Sequence, residues 1–166
     1  ELIQADLSRI FEFQELNPTL IRIKENIGSS PLYVYTHNSL KLDVSSWKSL
    51  KEYKIVYVRG TRYIKKFLNN HKYLHSVSTN LQAFRFLSAN RADIHISLPM
   101  VANPILNSKE LKNHKIKVIY PPIDYIRTYT FFNQGYEKIA KKFEKALIEI
   151  KEDGTYDEIL MEINRN

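Results

Sequence analysis

A β-rich run, a glycine and a basic helix start follow one another at Val58-Arg59-Gly60-Thr61-Arg62, and that order suits an anion. A helix beginning just after Gly60 presents unpaired backbone N–H groups and the positive end of its dipole; the Thr61 hydroxyl adds a hydrogen bond, and Arg62 or Arg59 a charge. Carboxylates and phosphates both fit such a turn. One Gly-Thr pair after a strand also serves simply to reverse the chain and cap a helix, so the residues alone leave ligand contact and capping both open. The stretch is no nucleotide fingerprint, because it lacks the further glycines of a dinucleotide-binding turn and the spacing of a Walker A loop.

Other chemistry is harder to assemble. Five histidines are present, but no HExxH pattern accompanies them, and His71 and His75 share a helical face only if a helix runs past Asn69 and Asn70. His95, between Ile94 and Ile96, points to the opposite sheet face from them, either packed under a helix or lining a cleft. There is no cysteine, hence no thiol nucleophile, thiolate metal site or disulfide. Serines are plentiful, but no GxSxG elbow exposes one beside a base. Asp6, Asp43, Asp93 and Asp124 stand apart in sequence, so no acid–base pair is visible. The expectation is a non-enzymatic chain with no metal and no cofactor. Tyr33 and Tyr35 share one face of a strand, and Tyr120 and Tyr125 flank a Pro-Pro pair; these aromatics either wall a ligand or fill a core.

The elements that must position these residues alternate in kind. Asp6 to Leu16 reads as a short helix or an irregular approach to a strand, and Pro18 interrupts any continuous helix there. TLIRIKENI, from Thr19, carries only a partial strand pattern, whereas Pro31 to His37 is aromatic and β-branched and predicts a strand. SSWKSLKEY predicts one or two helical turns before a strand at Ile55 to Val58. Thr61 to Asn70 then spaces Tyr63, Ile64, Phe67 and Leu68 as a helix does. The unit repeats as a strand at HSVS, a helix over Asn80 to Ala89 and a buried strand at ADIHISLP. KIKVIYPP is a further β-rich run that closes on its double proline, and IRTYTFF predicts another strand. Tyr136 to Lys151 is the longest helical pattern, stopped at Asp153-Gly154 and followed by a last helix from Tyr156. Strands alternating with helices imply a parallel or mixed sheet covered on both faces, an α/β fold.

The whole chain fits that reading. Its 166 residues, 43% of them apolar, supply a sizeable core, and four glycines with six prolines are too few for a low-complexity linker. No run approaches the roughly 18 apolar residues of a spanning helix, and the opening ELIQADLSRI does not read as a signal peptide. The net charge of +7 invites a polyanion, but the lysine pairs Lys65-Lys66 and Lys141-Lys142 fall on amphipathic helical patterns whose wet face accounts for them. No nucleic-acid partner is expected.

Three landmarks in order resemble the bacterial extracellular solute-binding proteins of the amino-acid-binding class, with the type 2 periplasmic-binding fold. They are WKSLKEYKIVYVRGTRYIKKFL from Trp47, NLQAFRFLSANRADIHISLP from Asn80 and FEKALIEIKEDGTYDEILMEI from Phe143. In the second, Asn90-Arg91-Ala92-Asp93 stands where the family has Gly-Arg-x-Asp before a buried strand; the third matches the closing helix and its Asp-Gly-Thr-Tyr turn. The likeness spans the chain and is vaguest before Trp47. It implies two α/β lobes joined by extended crossings that close on a ligand. Residues 1–43 would be a partial first-lobe segment with the first crossing (Pro31 to Asn38), 44–119 a complete second lobe, and 120–166 the return crossing and first-lobe helices. Gly60, Thr61 and Arg62 would meet an acidic group of the ligand, Tyr33, Tyr35 and Tyr120 would supply walls, and Arg9 would match an arginine that members often carry.

Two departures qualify what the resemblance implies. The strand and helix units that open the family's first lobe do not precede Glu1, which suggests a truncated lobe and a possible homodimer or segment swap through the uncovered edge. Leu98 stands five residues after Asp93, where amino-acid binders often place the aspartate that pairs with the ligand ammonium. An apolar residue cannot offset a buried ammonium, which argues against an ordinary α-amino acid and leaves an organic anion, a peptide-like compound or no ligand at all. The expected role is uptake of a small polar or acidic solute at the periplasm or extracytoplasmic surface, with a membrane permease or receptor as partner. The alternatives are a sensory or protein-interaction domain of the same fold and, third, an enzyme that cleaves cell-wall polysaccharide.

Overall fold

The computed structural model describes residues 4–37 and 42–165; Asn38, the expected end of the first crossing, lies outside them. The chain divides into two compact units, one made of the residues up to Ser29 and from Arg127 on, the other of Ser30–Ile126. Both changes of unit fall within strands.

In the second unit the sheet runs β3 (Gly28–Thr36), β6 (Ile94–Ser97), β4 (Ile55–Val58), β5 (Leu74–Val77). β4 is parallel to β5 and β6, and β3 is antiparallel to β6. Each strand alternates its side chains across the sheet. Leu32, Val34, Ile55, Ile94 and Ile96 face one core, closed by Leu50 of a 3₁₀ turn (Ser49–Glu52) and by Ile64 and Leu68, in and just after α2 (Arg62–Phe67). Tyr35 and Val56 face the other, closed by Ala83, Phe84 and Leu87 of α3 (Asn80–Ser88) and Ala102 of α4 (Pro99–Leu106). Covering on both faces is what the run of buried β-rich strands requires.

In the first unit, Phe131 and Phe132 of β7 (Lys117–Phe132) pair antiparallel with β1 (Ala5–Ile10) and with β2 (Ile21–Arg22). Ile23 and Phe132 pack on Ala140 and Leu147 of α5 (Glu137–Glu152), beside Tyr156 of α6 (Thr155–Arg165). Asp153 ends α5 and its Oδ1 accepts the Thr155 amide at 2.9 Å, so the Asp-Gly stop signal works as a turn with Gly154 at φ +86°.

Four expectations need correction. The Asp6 to Leu16 stretch is a strand followed by the one-turn α1 (Phe13–Leu16), because β7 offers a pairing edge that local propensity cannot anticipate. The partial strand at TLIRIKENI shrinks to Ile21–Arg22: the Lys24 and Glu25 amides turn to the Glu144 carboxylate, and the Lys151 ammonium takes the Asn26 carbonyl at 2.6 Å. The double proline does not end a strand, since β7 runs through Pro121 and Pro122 to Phe132; a proline removes an amide donor but its φ suits an extended chain. α4, which the sequence pattern did not predict, follows β6 directly.

Candidate ligand-binding site

Parallel strands gather their carboxyl ends at one edge of a sheet, and the turns that leave them are where an α/β unit can meet a ligand. In the second unit Val58 of β4 is level with Val77 of β5, and Ile55 and Val56 are level with Ile94 and His95 of the parallel β6, whose last residue, Ser97, pairs with Tyr33. The three turns at Gly60, Ser78 and Leu98 therefore leave from the same edge.

They differ in what they leave open. After β5, Thr79 caps α3 by accepting the Gln82 amide at 3.2 Å, while Gln82 Oε1 accepts the Ser78 amide at 2.9 Å. That reciprocal capping box occupies the helix start. After β6, Leu98 precedes α4 with no side-chain cap and packs against the first core. After β4, Gly60 adopts φ +90°, and a Cβ added there would meet nothing within 4 Å. No side chain caps α2.

The side chains around Gly60 are arranged unequally. Thr61 Oγ1 donates to the Val58 carbonyl at 2.5 Å, so its proton braces the turn and its lone pairs can only accept from a ligand. The Thr61 amide also bonds Val58 O, at 3.2 Å, and the Arg62 amide bonds Gly60 O at 2.9 Å. Arg59 donates to Ser78 Oγ at 2.9 Å, tying the ends of β4 and β5. The exposed Arg62 guanidinium has no partner among the described residues.

Tyr33, Tyr35 and Tyr120 come together, but around a different feature. They line a pocket of about 190 Å³ with Asn103 of α4, and the lining does not include residues 59–62. Tyr33 and Tyr120 meet edge to face with centroids 5.1 Å apart, and Tyr35 meets Phe84 likewise at 5.4 Å. Burial, with the charges that Tyr120 and Tyr33 would carry, pushes the Tyr35 phenol up to about 12. Arg9 belongs to the first unit, where its Nε donates to Asp6 at 2.7 Å and its guanidinium lies over the Phe13 ring.

Three of the five histidines make contacts within the fold. His71 Nε2 donates to Leu50 O at 3.1 Å and its Nδ1 accepts the Tyr73 amide at 3.1 Å, which fixes one neutral tautomer. His75 stacks on Phe86. His95 is buried against Phe84 of α3, under a helix as one of its two readings expected. No group of three potential metal ligands occurs among the described residues.

Three features escaped the sequence reading. Asp124 looked isolated, yet it accepts Trp47 Nε1 at 2.8 Å and the Tyr63 hydroxyl at 2.9 Å; no short-range signal announces a partner 77 residues away. The capping box was legible as Thr79-x-x-Gln82. So was α4, whose Pro99 at the first helical position is a start signal, though Pro104 inside the helix obscured it.

No protein-family model and no curated protein sequence matches the chain. Solved structures do. The probable amino-acid ABC transporter extracellular-binding protein YtmK from Bacillus subtilis is 20% identical with a TM-score of 0.66, over 96% of this chain and 70% of that one. A histidine kinase sensor domain similar to periplasmic binding proteins is 16% identical with a TM-score of 0.65, over 96% and 67%. An ancestral amino-acid-binding protein, described as a precursor of cyclohexadienyl dehydratase, is 16% identical with a TM-score of 0.61, over 96% and 68%. The fold is the type 2 periplasmic-binding fold. Within it the solved relatives named here are binding proteins and a sensor domain, and this chain spans about two thirds of each. No helix among the described residues is long and apolar enough to cross a membrane.

Proposed function

We propose that this periplasmic-binding-fold chain binds a small acidic solute without chemical turnover, for uptake through a membrane permease, at the Gly60–Arg62 turn. The observation that carries the reading is an uncapped helix start beside an unpartnered guanidinium, on a glycine turn whose open face lets a ligand approach the backbone. The neighbouring start at Thr79 is capped, and the one at Leu98, though uncapped, has no charged residue in its first turn. Leu98 supplies no carboxylate, so the preferred solute is an organic acid without an α-ammonium. Such a role belongs at the periplasm or another extracytoplasmic surface.

A second reading, extracytoplasmic sensing of the same class of solute, is supported by the likeness to a histidine kinase sensor domain. Uptake and sensing share the binding step and differ in the partner engaged.

Thermal unfolding of the full chain against pairs such as glutarate and glutamate, or propionate and alanine, tests the site. A ligand that prefers the native state stabilises it by about 2.7 kcal/mol at a hundredfold excess over Kd. The organic acid of a pair should raise Tm and the amino acid should not. Replacing Thr61 and Arg62 together by alanine should cost at least tenfold in affinity for the active solute. Unchanged affinity would remove the assignment, and no response to any acid would leave a protein partner as the better account.

A further inference from the structure

The pocket beneath Tyr33 and Tyr120 has its own chemistry. Its apolar walls are Pro99, Leu106, Ile116 and Val118, and its polar groups are three phenols and one carboxamide; no charged side chain lines it. Tyr35 is 2% exposed, yet among the described residues its hydroxyl has no hydrogen-bond partner. A buried phenol normally finds one. The Tyr35 hydroxyl is absent from the sealed, partnerless atoms of the interior, so it reaches the pocket space. Tyr33, Tyr120 and Asn103 likewise have no side-chain hydrogen bond to a described residue. The buried Tyr35 hydroxyl thus shares one space with the half-buried Tyr33 and the exposed Tyr120 and Asn103.

We propose that this pocket is a second binding site, distinct from the Gly60–Arg62 turn, and that it takes a small uncharged ring compound bearing a hydrogen-bonding substituent. The ring packs against the edge-to-face Tyr33–Tyr120 pair and the aliphatic walls, and its substituent meets Tyr35 Oη and the Asn103 carboxamide. A charged ligand would lose its hydration with no counter-charge in the lining. The buried Tyr35 phenol stays protonated through the physiological range, which keeps it a donor as well as an acceptor.

Benzamide, benzoate and benzamidine share one shape and differ in charge, so they test the proposal directly. Each is titrated into the full chain carrying ring-labelled tyrosine, and binding is read by NMR. Benzamide should give saturable shifts at Tyr33, Tyr35 and Tyr120, with the two ions at least tenfold weaker. Tyr35→Phe keeps the ring and deletes the hydroxyl, and should weaken benzamide about fivefold, the loss of one hydrogen bond. Asn103→Trp, at an exposed helix position, should fill the pocket and abolish the shifts while the folded spectrum persists. Equal binding of the three compounds, shifts that survive Asn103→Trp, or no saturable response to benzamide would each overturn the site.

Discussion

His95 ties stability to pH in a way that can be worked out in advance. Its ring is 1% exposed, Nδ1 lies 3.0 Å from the Val56 carbonyl and Phe84 presses on it edge to face at 4.9 Å. A carbonyl only accepts, so Nδ1 carries the proton and Nε2 holds a buried lone pair with no partner. Burial drives the pKa down from 6.5 to about 4, against a smaller opposing effect of the Val56 bond. The folded state therefore resists a proton that the unfolded chain accepts. This contribution is complete above the unfolded pKa of 6.5 and is lost as the pH falls toward 4. At 1.36 kcal/mol per unit, the loss relative to neutral pH reaches about 2 kcal/mol at pH 5 and about 3 kcal/mol at pH 4. Urea unfolding of the wild type and of His95→Asn, from pH 7 to pH 4, isolates it. Asparagine can keep a donor to Val56 but does not titrate, so carboxylate effects cancel in the difference. The wild type's advantage should shrink by those amounts as the pH drops. A difference that stays constant with pH, or a His95 resonance that titrates near 6.5, would refute the reasoning.

Two further outcomes follow from the same unit. Gly60→Ala should cost about 1 kcal/mol in urea unfolding, from the left-handed backbone alone, because its Cβ would meet nothing within 4 Å; a cost of several kcal/mol would mean the turn is closed by atoms that the geometry leaves away from it. Asp124→Ala removes the acceptor of both Trp47 Nε1 and the Tyr63 hydroxyl, and should cost about 1–3 kcal/mol. Because Trp47 is the one tryptophan, the emission spectrum reports its surroundings directly; unchanged emission and stability would dismiss that bond.

What could be read in the sequence followed from local signals. Ile55 to Val58, Asn80 to Ala89 and Tyr136 to Lys151 carry their period within themselves, and each became the expected element within a residue or two. β1 and the length of β7 were hidden for the opposite reason. Ala5 pairs with Phe132 and Ile10 with Thr128 across most of the chain, so the strand exists because of a distant edge. The candidate site divides the same way. Gly60 was visible because a positive φ after a strand calls for glycine, whereas the bond from Thr61 back to Val58 and the gathering of Tyr33, Tyr35 and Tyr120 around α4 depend on rotamers and on a helix that the pattern missed.

The three strand ends of the second unit differ in what their helix starts leave open. Three helix starts on one edge would present three positive dipole ends, but a capping box is itself an internal acceptor, and α3 closes on its own Thr79 and Gln82. At α4, Pro99 brings no amide at the first helical position, and the Val101 and Ala102 amides both turn back to Leu98 O at 3.1 and 3.0 Å. Of these three turns the Gly60 turn alone combines an uncapped start with an exposed guanidinium that has no partner among the described residues, and there the fold has used the neighbouring cation differently. Arg59 is held to Ser78, bracing β4 against β5, which leaves Arg62 as the group able to follow a ligand. A bonded arginine braces the edge, and an exposed one without a partner among the described residues stands beside it. On that division of labour, Arg59→Ala should loosen the junction of β4 and β5 and lower stability in urea unfolding, whereas Arg62→Ala should leave both unchanged.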